Sequence, residues 1–421
     1  MKQDQLIDHL FRHQYGGMVS VLTRIFGLSH LETIEDAVQD TFATAMLKWR
    51  RQVPDNPEGW LIRAAKNRAI DLLRKIKADH HRLEKLDHGA AVLTLNELFL
   101  DHEIEDSQLR MIFTACHPDL DERDQIAFAL KTISGFSTKE IAAALLLKEE
   151  TVKKRLSRAR QAIRTKGISF ALPGERAVRS RLRRVLQVLY LIFNEGFHSL
   201  HQSMLIRKDL CGEAIRLARL ILRKPAFRTG ASYALFAFFC FQASRLESKV
   251  AEDHRLVDLR QQDRSKWYFP LIRLGNDAMN KAMEYADSSP YHLEAAIAAE
   301  HLRAPSFEAT DWHRVLELYQ RLYNMQPDPL TLLNMAIVHL QLAQYPQVLD
   351  MLKLVEPTQL EQRAYLYYGL KAEYFSCTNQ NQQAIKCIDQ ALGTVSNEAE
   401  RAYLLRKRQQ LAEKGQGERE G

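Results

Sequence analysis

Cysteine is scarce in this chain, with five among 421 residues, at positions 116, 211, 240, 377 and 387. The number is odd and no two have CxxC spacing, which argues against both a disulfide framework and a zinc centre. Proline (12) and glycine (17) are also few, so collagen-like, linker-dominated and largely disordered architectures are excluded. Long hydrophobic runs are missing. The longest, Tyr233 to Phe241, falls far short of the ~20 residues that a membrane-spanning helix needs. The opening Met1-Lys2-Gln3-Asp4 leads into a polar amphipathic segment and lacks the apolar heart of a secretory signal. A cytoplasmic chain with no membrane partner is expected.

Arranged catalytic groups are lacking too. No Ser-His-Asp arrangement or Gly-rich phosphate loop can be argued, so neither enzymatic activity nor a cofactor is expected. Histidine pairs occur at His80-His81, His9 and His13, and His198 and His201, and His102 sits between Asp101 and Glu103. None has the neighbours that ligand spacing or a hydrolase motif requires, and no metal site is expected.

What is present is an ordinary globular balance of 46% apolar, 26% charged and 9% aromatic residues. At roughly 100–200 residues per domain, the length suggests two to four domains. The net charge is +7, and residues 148–184 alone carry +10, leaving −3 for the rest. A compact basic segment on a near-neutral chain is the footprint of a polyanion-binding site. Charge by itself leaves a solvated helix face equally open.

Hydrophobic periodicity is helical nearly everywhere, and no segment alternates as a strand should, so the fold class is all-α. Breaks at Val53–Pro57, Leu172-Pro173-Gly174, Ser288-Ser289-Pro290 and Pro327-Asp328-Pro329 punctuate the chain. They suggest segments 1–77, a linker 78–108, a segment 109–168, a helical extension 173–290 and repeats over 291–413.

The first segment holds two informative helices. From Ile34 to Trp49 the apolar stripe Ile34, Val38, Phe42, Met46 and Trp49 predicts a buried face. Glu35, Asp36, Gln39 and Asp40 then form an acidic patch facing outward. Pro57 opens a second helix whose inward side is Ile62, Ala65, Ala69, Leu72, Leu73 and Ile76. Its outward positions carry Arg63, Lys66, Asn67, Arg68, Asp71, Arg74 and Lys75. One helix thus shows acid and the next shows base, which suits two different partners. Trp60, at the helix start, reads either as core or as a platform for a base.

Residues 109–168 are the most specific. Gly135 ends one helix, and Ser137 with Glu140 has the spacing of a capping box that starts the next. After Leu147-Lys148 a second helix runs from Glu149 to about Arg164, with a buried stripe of Val152, Leu156, Ala159 and Ile163. Its opposite face holds Glu150, Thr151, Lys154, Ser157, Arg158 and Gln161, flanked by Lys153 and Arg155. Two short helices with a tight turn and a basic outward face make a helix-turn-helix, whose second helix fits the major groove. There Thr, Lys and Arg reach base edges and phosphates.

With these segments in view, the chain resembles bacterial sigma factors of the extracytoplasmic-function group. Glu35-Asp-Ala-Val-Gln-Asp-Thr-Phe42 is similar to the core-polymerase-binding helix of the sigma-2 domain. Trp60 to Arg74 is similar to the helix that reads the −10 element, and Thr151 to Arg160 to the recognition helix for the −35 element. Ile112–Pro118, Val188–Gly196, Asp209–Arg219, Gln262–Trp267, Pro290–Ala299 and Ala309–Trp312 resemble the members with a long helical C-terminal extension bearing tetratricopeptide-like repeats. Lys148 departs from the capping residue usual before the recognition helix, and Leu342–Pro346 lacks the Asp-Gly-Gly-Pro type of turn.

The resemblance implies a dissociable subunit that directs RNA polymerase core to promoter DNA. On it, Asp36, Gln39 and Asp40 would dock the polymerase. Arg63, Lys66, Asn67, Arg68, Asp71 and Arg74 would serve the −10 element. Thr151, Lys153, Lys154, Arg155 and Arg158 would serve the −35 element. The extension would act as a regulatory module, its first arginines either prolonging the DNA track or cradling an acidic surface of the chain. Independently of the resemblance, Ala336, Val348, Leu352 and Val355 recur 36 residues later as Ala372, Ala384, Ile388 and Ala391. Such units stack into a concave surface suited to a peptide or protein. Two other readings use the same residues: a helix-turn-helix activator with a helical sensor domain, and a repeat scaffold that binds RNA or protein.

Overall fold

The computed structural model describes residues 3–50, 52–79, 98–145, 147–197, 206–251 and 257–420. The fold is all-α, with no strand among the described residues. Two compact units divide the chain, 1–191 and 192–421. The division falls inside a helix, whereas the sequence reading opens the extension at 173. The greater part of the expected linker 78–108, with His80 and His81, lies outside the described residues, as do His198, His201 and the side chains of His9 and His13.

In the first unit α1 (Gln3–Phe26) packs against α2 (Leu31–Trp49) and α4 (Asp101–Ala115), and α2 packs against α3 (Pro57–Asp79). The stripe on α2 is buried at Ile34, Val38, Phe42 and Trp49. Met46 corrects the expectation, because it is exposed and Ala45 is buried instead. Positions 38, 42, 45 and 49 follow the i, i+4, i+7, i+11 track of one helix face, which residue 46 overshoots. At α3 the Gly59 amide donates to Asn56 Oδ1 at 2.8 Å, so Asn56 caps the helix that Pro57 begins. Leu61 and Ala65 are buried, while the side chains of Ala69, Leu72, Leu73 and Ile76 lie outside the described residues.

The helix-turn-helix follows. Asp121 caps α5 (Glu122–Thr132) by accepting from the Arg123 amide at 2.9 Å. Gly135, at φ +70°, turns the chain in the left-handed region that favours glycine. At α6 (Thr138–Ala144) the Glu140 amide donates to Ser137 Oγ at 3.1 Å and the Ser137 amide donates to Glu140 Oε2 at 2.7 Å. α7 (Glu149–Thr165) then buries Val152, Leu156, Ala159 and Ile163, the stripe read from periodicity.

Segments 1–77 and 109–168 share one packed interior. Gly16 of α1 lies so close to the end of α5 that a Cβ there would fall 1.8 Å from the Ile133 carbonyl oxygen. The fully buried Tyr15 ring covers the turn at Gly135, where a Cβ would meet it at 2.7 Å. The first half of α8 (Glu175–Phe197) belongs to this unit as well. Arg181 donates to the Phe113 carbonyl at 2.5 Å and Arg184 pairs with Glu122, so these two arginines turn toward their own chain.

In the second unit the run Tyr233–Phe241 lies on α10 (Gly230–Ala243), which is buried on almost every side. It packs among α9 (Lys208–Arg223), α11 (Phe269–Ala282) and α12 (Pro290–Arg303), as a helix apolar all round must. The Asp287 carboxylate accepts from the Gly230 and Ala231 amides at 2.8 and 2.9 Å, satisfying donors that no helical carbonyl can reach.

After α13 (Trp312–Met325) come two helical hairpins, α14 (Pro329–Gln341) with α15 (Tyr345–Lys353), and α16 (Ala364–Cys377) with α17 (Asn381–Thr394). α18 (Glu398–Glu420) closes the unit against α17. The hairpins repeat at 36 residues down to single turn bonds. Gln344 N donates to His339 O at 2.9 Å and Gln380 N to Phe375 O at 2.8 Å. Ala343 and Asn379 occupy the same left-handed conformation, at φ 55° and 57°. An asparagine tolerates that conformation, whereas an alanine adopts it at a cost of about 1–2 kcal/mol. Ala343→Gly should therefore raise stability by about 1 kcal/mol, read as a higher denaturant midpoint. An unchanged or lower midpoint would show that the turn relaxes without it.

Candidate nucleic-acid interface

α7 presents its outward face as its stripe dictates. Lys153, Lys154, Ser157, Arg158 and Gln161 are exposed, and Thr151 and Arg155 are half-buried. Lys148 stands at the N-cap position without a side-chain bond to the helix. Glu149 and Glu150 in the first turn complement the positive helix end instead.

Several of these side chains have partners that no local pattern reveals. Arg158 holds Asp124 of α5 through two bonds, Nη2–Oδ1 at 2.7 Å and Nε–Oδ2 at 3.0 Å. Its side chain is nevertheless 60% exposed, against 5% for Asp124, so the arginine remains reachable while its partner is interior. Arg155 lies 3.3 Å from the Arg123 carbonyl, and burial pulls its guanidinium below the ordinary value. Lys153 pairs at 2.8 Å with Glu150, an exposed contact of little consequence for stability.

Glu35 corrects the acidic patch. It is 2% exposed, and Arg160 of α7 reaches it at 2.7 Å and Glu32 at 3.0 Å. Burial raises the Glu35 carboxyl above its usual range, and Arg160 opposes that rise. A carboxylate one position from the apolar stripe turns inward when a distant arginine arrives to meet it. Asp36, Gln39 and Asp40 are exposed as expected.

On α3, Arg63, Asn67, Arg68 and Asp71 are exposed. Arg68 Nη2 lies 2.9 Å from Asp40 Oδ2, so a residue assigned to DNA and one assigned to the polymerase meet each other. Lys66 is half-buried with its Nζ 5.3 Å from the Phe99 ring centre, and desolvation lowers its pKa. The side chain of Arg74 lies outside the described residues. Trp60 packs edge-to-face on Trp49 at 5.5 Å and is half-buried, so one part of the ring serves the core.

Asp124, Glu32 and Phe99 are partners that the sequence reading missed. Asp124 had one usable signal, an acidic residue in the first turn of the helix preceding a basic recognition helix.

A capped helix-turn-helix with a basic, accessible second helix defines a DNA-binding protein of the helix-turn-helix class. Residues 10–78 match the family Sigma-70 region 2, and residues 110–163 match Sigma-70, region 4. Residues 181–283 match a family of unknown function. An uncharacterized protein of Rhizobium meliloti is 33% identical over 383 residues, 89% of each chain. The ECF RNA polymerase sigma factor SigE of Mycolicibacterium smegmatis is 29% identical over 157 residues, 37% of this chain and 60% of that one. No solved structure matches the chain.

The chain belongs to the sigma-70 family, as an extracytoplasmic-function type sigma factor with a C-terminal extension, and serves promoter-specific transcription initiation. Its sigma domains imply RNA polymerase core and promoter DNA as partners, and the family is not an enzyme class. The activator reading leaves the region 2 match without a role. Among the described residues no helix is long and apolar enough to cross a membrane.

Proposed function

We propose a division of labour among three faces of this sigma factor, acting in the cytoplasm without catalysis or cofactor. Asp36, Gln39 and Asp40 dock the polymerase core. Met46 and Leu47 are exposed on the same side of α2, giving that face the mix of charged rim and apolar contact typical of protein interfaces. Arg63, Asn67, Arg68 and Asp71, with Lys66 and Arg74, hold the −10 region. Thr151, Lys153, Lys154, Arg155 and Arg158 engage the −35 duplex. The second unit regulates these steps, its tetratricopeptide-like hairpins engaging a peptide or protein. The observation that carries the reading is the accessible basic face of α7 on a helix whose opposite stripe is wholly buried.

Run-off transcription with purified core polymerase on genomic fragments tests it. Discrete transcripts that depend on the protein support the reading; their absence despite core binding and promoter coverage overturns it. The same assay with a chain ending at Phe197 measures the extension, and unchanged output would count against regulation. For the core-binding face, Asp36→Ala with Gln39→Ala should weaken core affinity about tenfold, roughly 1.4 kcal/mol, while leaving the melting temperature in place. Unaltered affinity in a fluorescence titration against core would remove these residues from that role.

A further inference from the structure

The second unit contains a corner where cations gather without matching acids. Arg245, just after α10, is half-buried, and its guanidinium donates to a neutral acceptor, Gln242 Oε1, at 2.6 Å. Its guanidinium lies 5.8 Å from the Phe197 ring centre. Among the described residues no carboxylate pairs with it. Arg264 approaches from the turn Arg264–Lys266, stacked 4.4 Å over Trp267. Its Nη1 donates to the carbonyls of His301 and Ala304, both at 2.8 Å, but its buried Nη2 meets no acceptor. His301, on α12, has its ring against Trp312 at 5.5 Å and a buried Nδ1 that is likewise unmatched.

Electrostatics agree with the geometry. Burial and Arg264 push the Arg245 guanidinium down to about 10. Burial with both arginines takes His301 down to about 4. Among the described residues the nearby acids form no ion pair with these three groups. Glu308 is exposed, 3.9 Å from Arg260, and acts on Arg264 without bonding it, Glu294 acts on Tyr319, and Glu400 bonds Tyr365 and faces Lys249. Buried cations and buried N–H donors are costly unless something negative completes them.

We propose that this corner is a binding site for the phosphate or carboxylate group of a small anionic molecule, with Arg245, Arg264 and His301 as its donors and Phe197, Trp267 and Tyr319 at its borders. An oxyanion supplies both the charge and the acceptors that these groups lack, and Arg is suited to bidentate capture of either group. The corner also draws together three stretches singled out in the sequence: Gln262–Trp267 supplies Arg264 and Trp267, Ala309–Trp312 supplies Trp312, and Val188–Gly196 leads directly into Phe197.

The test is thermal unfolding and calorimetric titration of the full chain in chloride buffer with inorganic phosphate, pyrophosphate and succinate. At least one should raise the melting temperature saturably with one site per chain, and which one responds separates phosphate from carboxylate ligands. Arg245→Met should melt at or above the wild-type temperature without ligand and lose at least tenfold in affinity. Arg264→Gln, which keeps a neutral donor, should lose affinity similarly and stands in if the first variant does not fold. No saturable response to any of the three, or a response that survives in the folded variants, overturns the site.

Discussion

Gly16→Ala should cost the first unit about 3 kcal/mol or more, seen as a clear fall in its melting temperature. The added Cβ would lie 1.8 Å from the Ile133 oxygen and 2.8 Å from its carbonyl carbon. A carbon and a carbonyl oxygen need about 3.3 Å. Both partners are backbone, so no side chain can swing aside and α1 must retreat from α5. That retreat draws Tyr15 off the Gly135 turn, where the two are in close contact. Gly17→Ala is the control. Its nearest neighbour is the Ile104 Cγ2 methyl at 2.9 Å, a side chain able to yield, so its cost should be several-fold smaller. Equal, small shifts for both variants would mean that α1 does not seat on Ile133 as described.

The contrast between local and distant features explains what could be read in advance. The capping box at Ser137 and Glu140 and the buried stripe of α7 are encoded within one helix, the 36-residue spacing in a local pattern that recurs, and all appear in the structure. Met46 stands outside the buried face because its neighbour Ala45 fits the inward track and apolar character alone does not choose between them. Glu35 turns inward, against its local pattern, because its partner Arg160 is 125 residues away. Periodicity says which face turns inward, never what arrives from elsewhere to meet it. The same holds for Arg68 with Asp40 and for Arg158 with Asp124, separated by 28 and 34 residues. The cation-rich corner of the second unit was illegible for the same reason, since it joins residues from 197 to 319.

Thr151→Ala combined with Lys154→Ala should reduce promoter-specific transcription about 100-fold without weakening core binding. Both residues lie in the first turns of α7, the part of a recognition helix that enters the groove. Each good base contact adds about 1–3 kcal/mol of discrimination, so losing two removes about 3 kcal/mol, which is roughly 100-fold. Lys154 also brings a full positive charge to the duplex, so Lys154→Ala alone should flatten the salt dependence of duplex binding by about one unit of slope; Thr151→Ala should not. Arg158→Ala should behave differently from both. It strips the interior Asp124 of the guanidinium that satisfies it, leaving a buried carboxylate exposed to the full cost of desolvation. Its loss of promoter binding should therefore come with a lower melting temperature, whereas the Thr151 and Lys154 variants should melt with the wild type. Matching losses of DNA binding and stability in all three variants would make α7 a structural helix, and the −35 contact would have to be sought on another face.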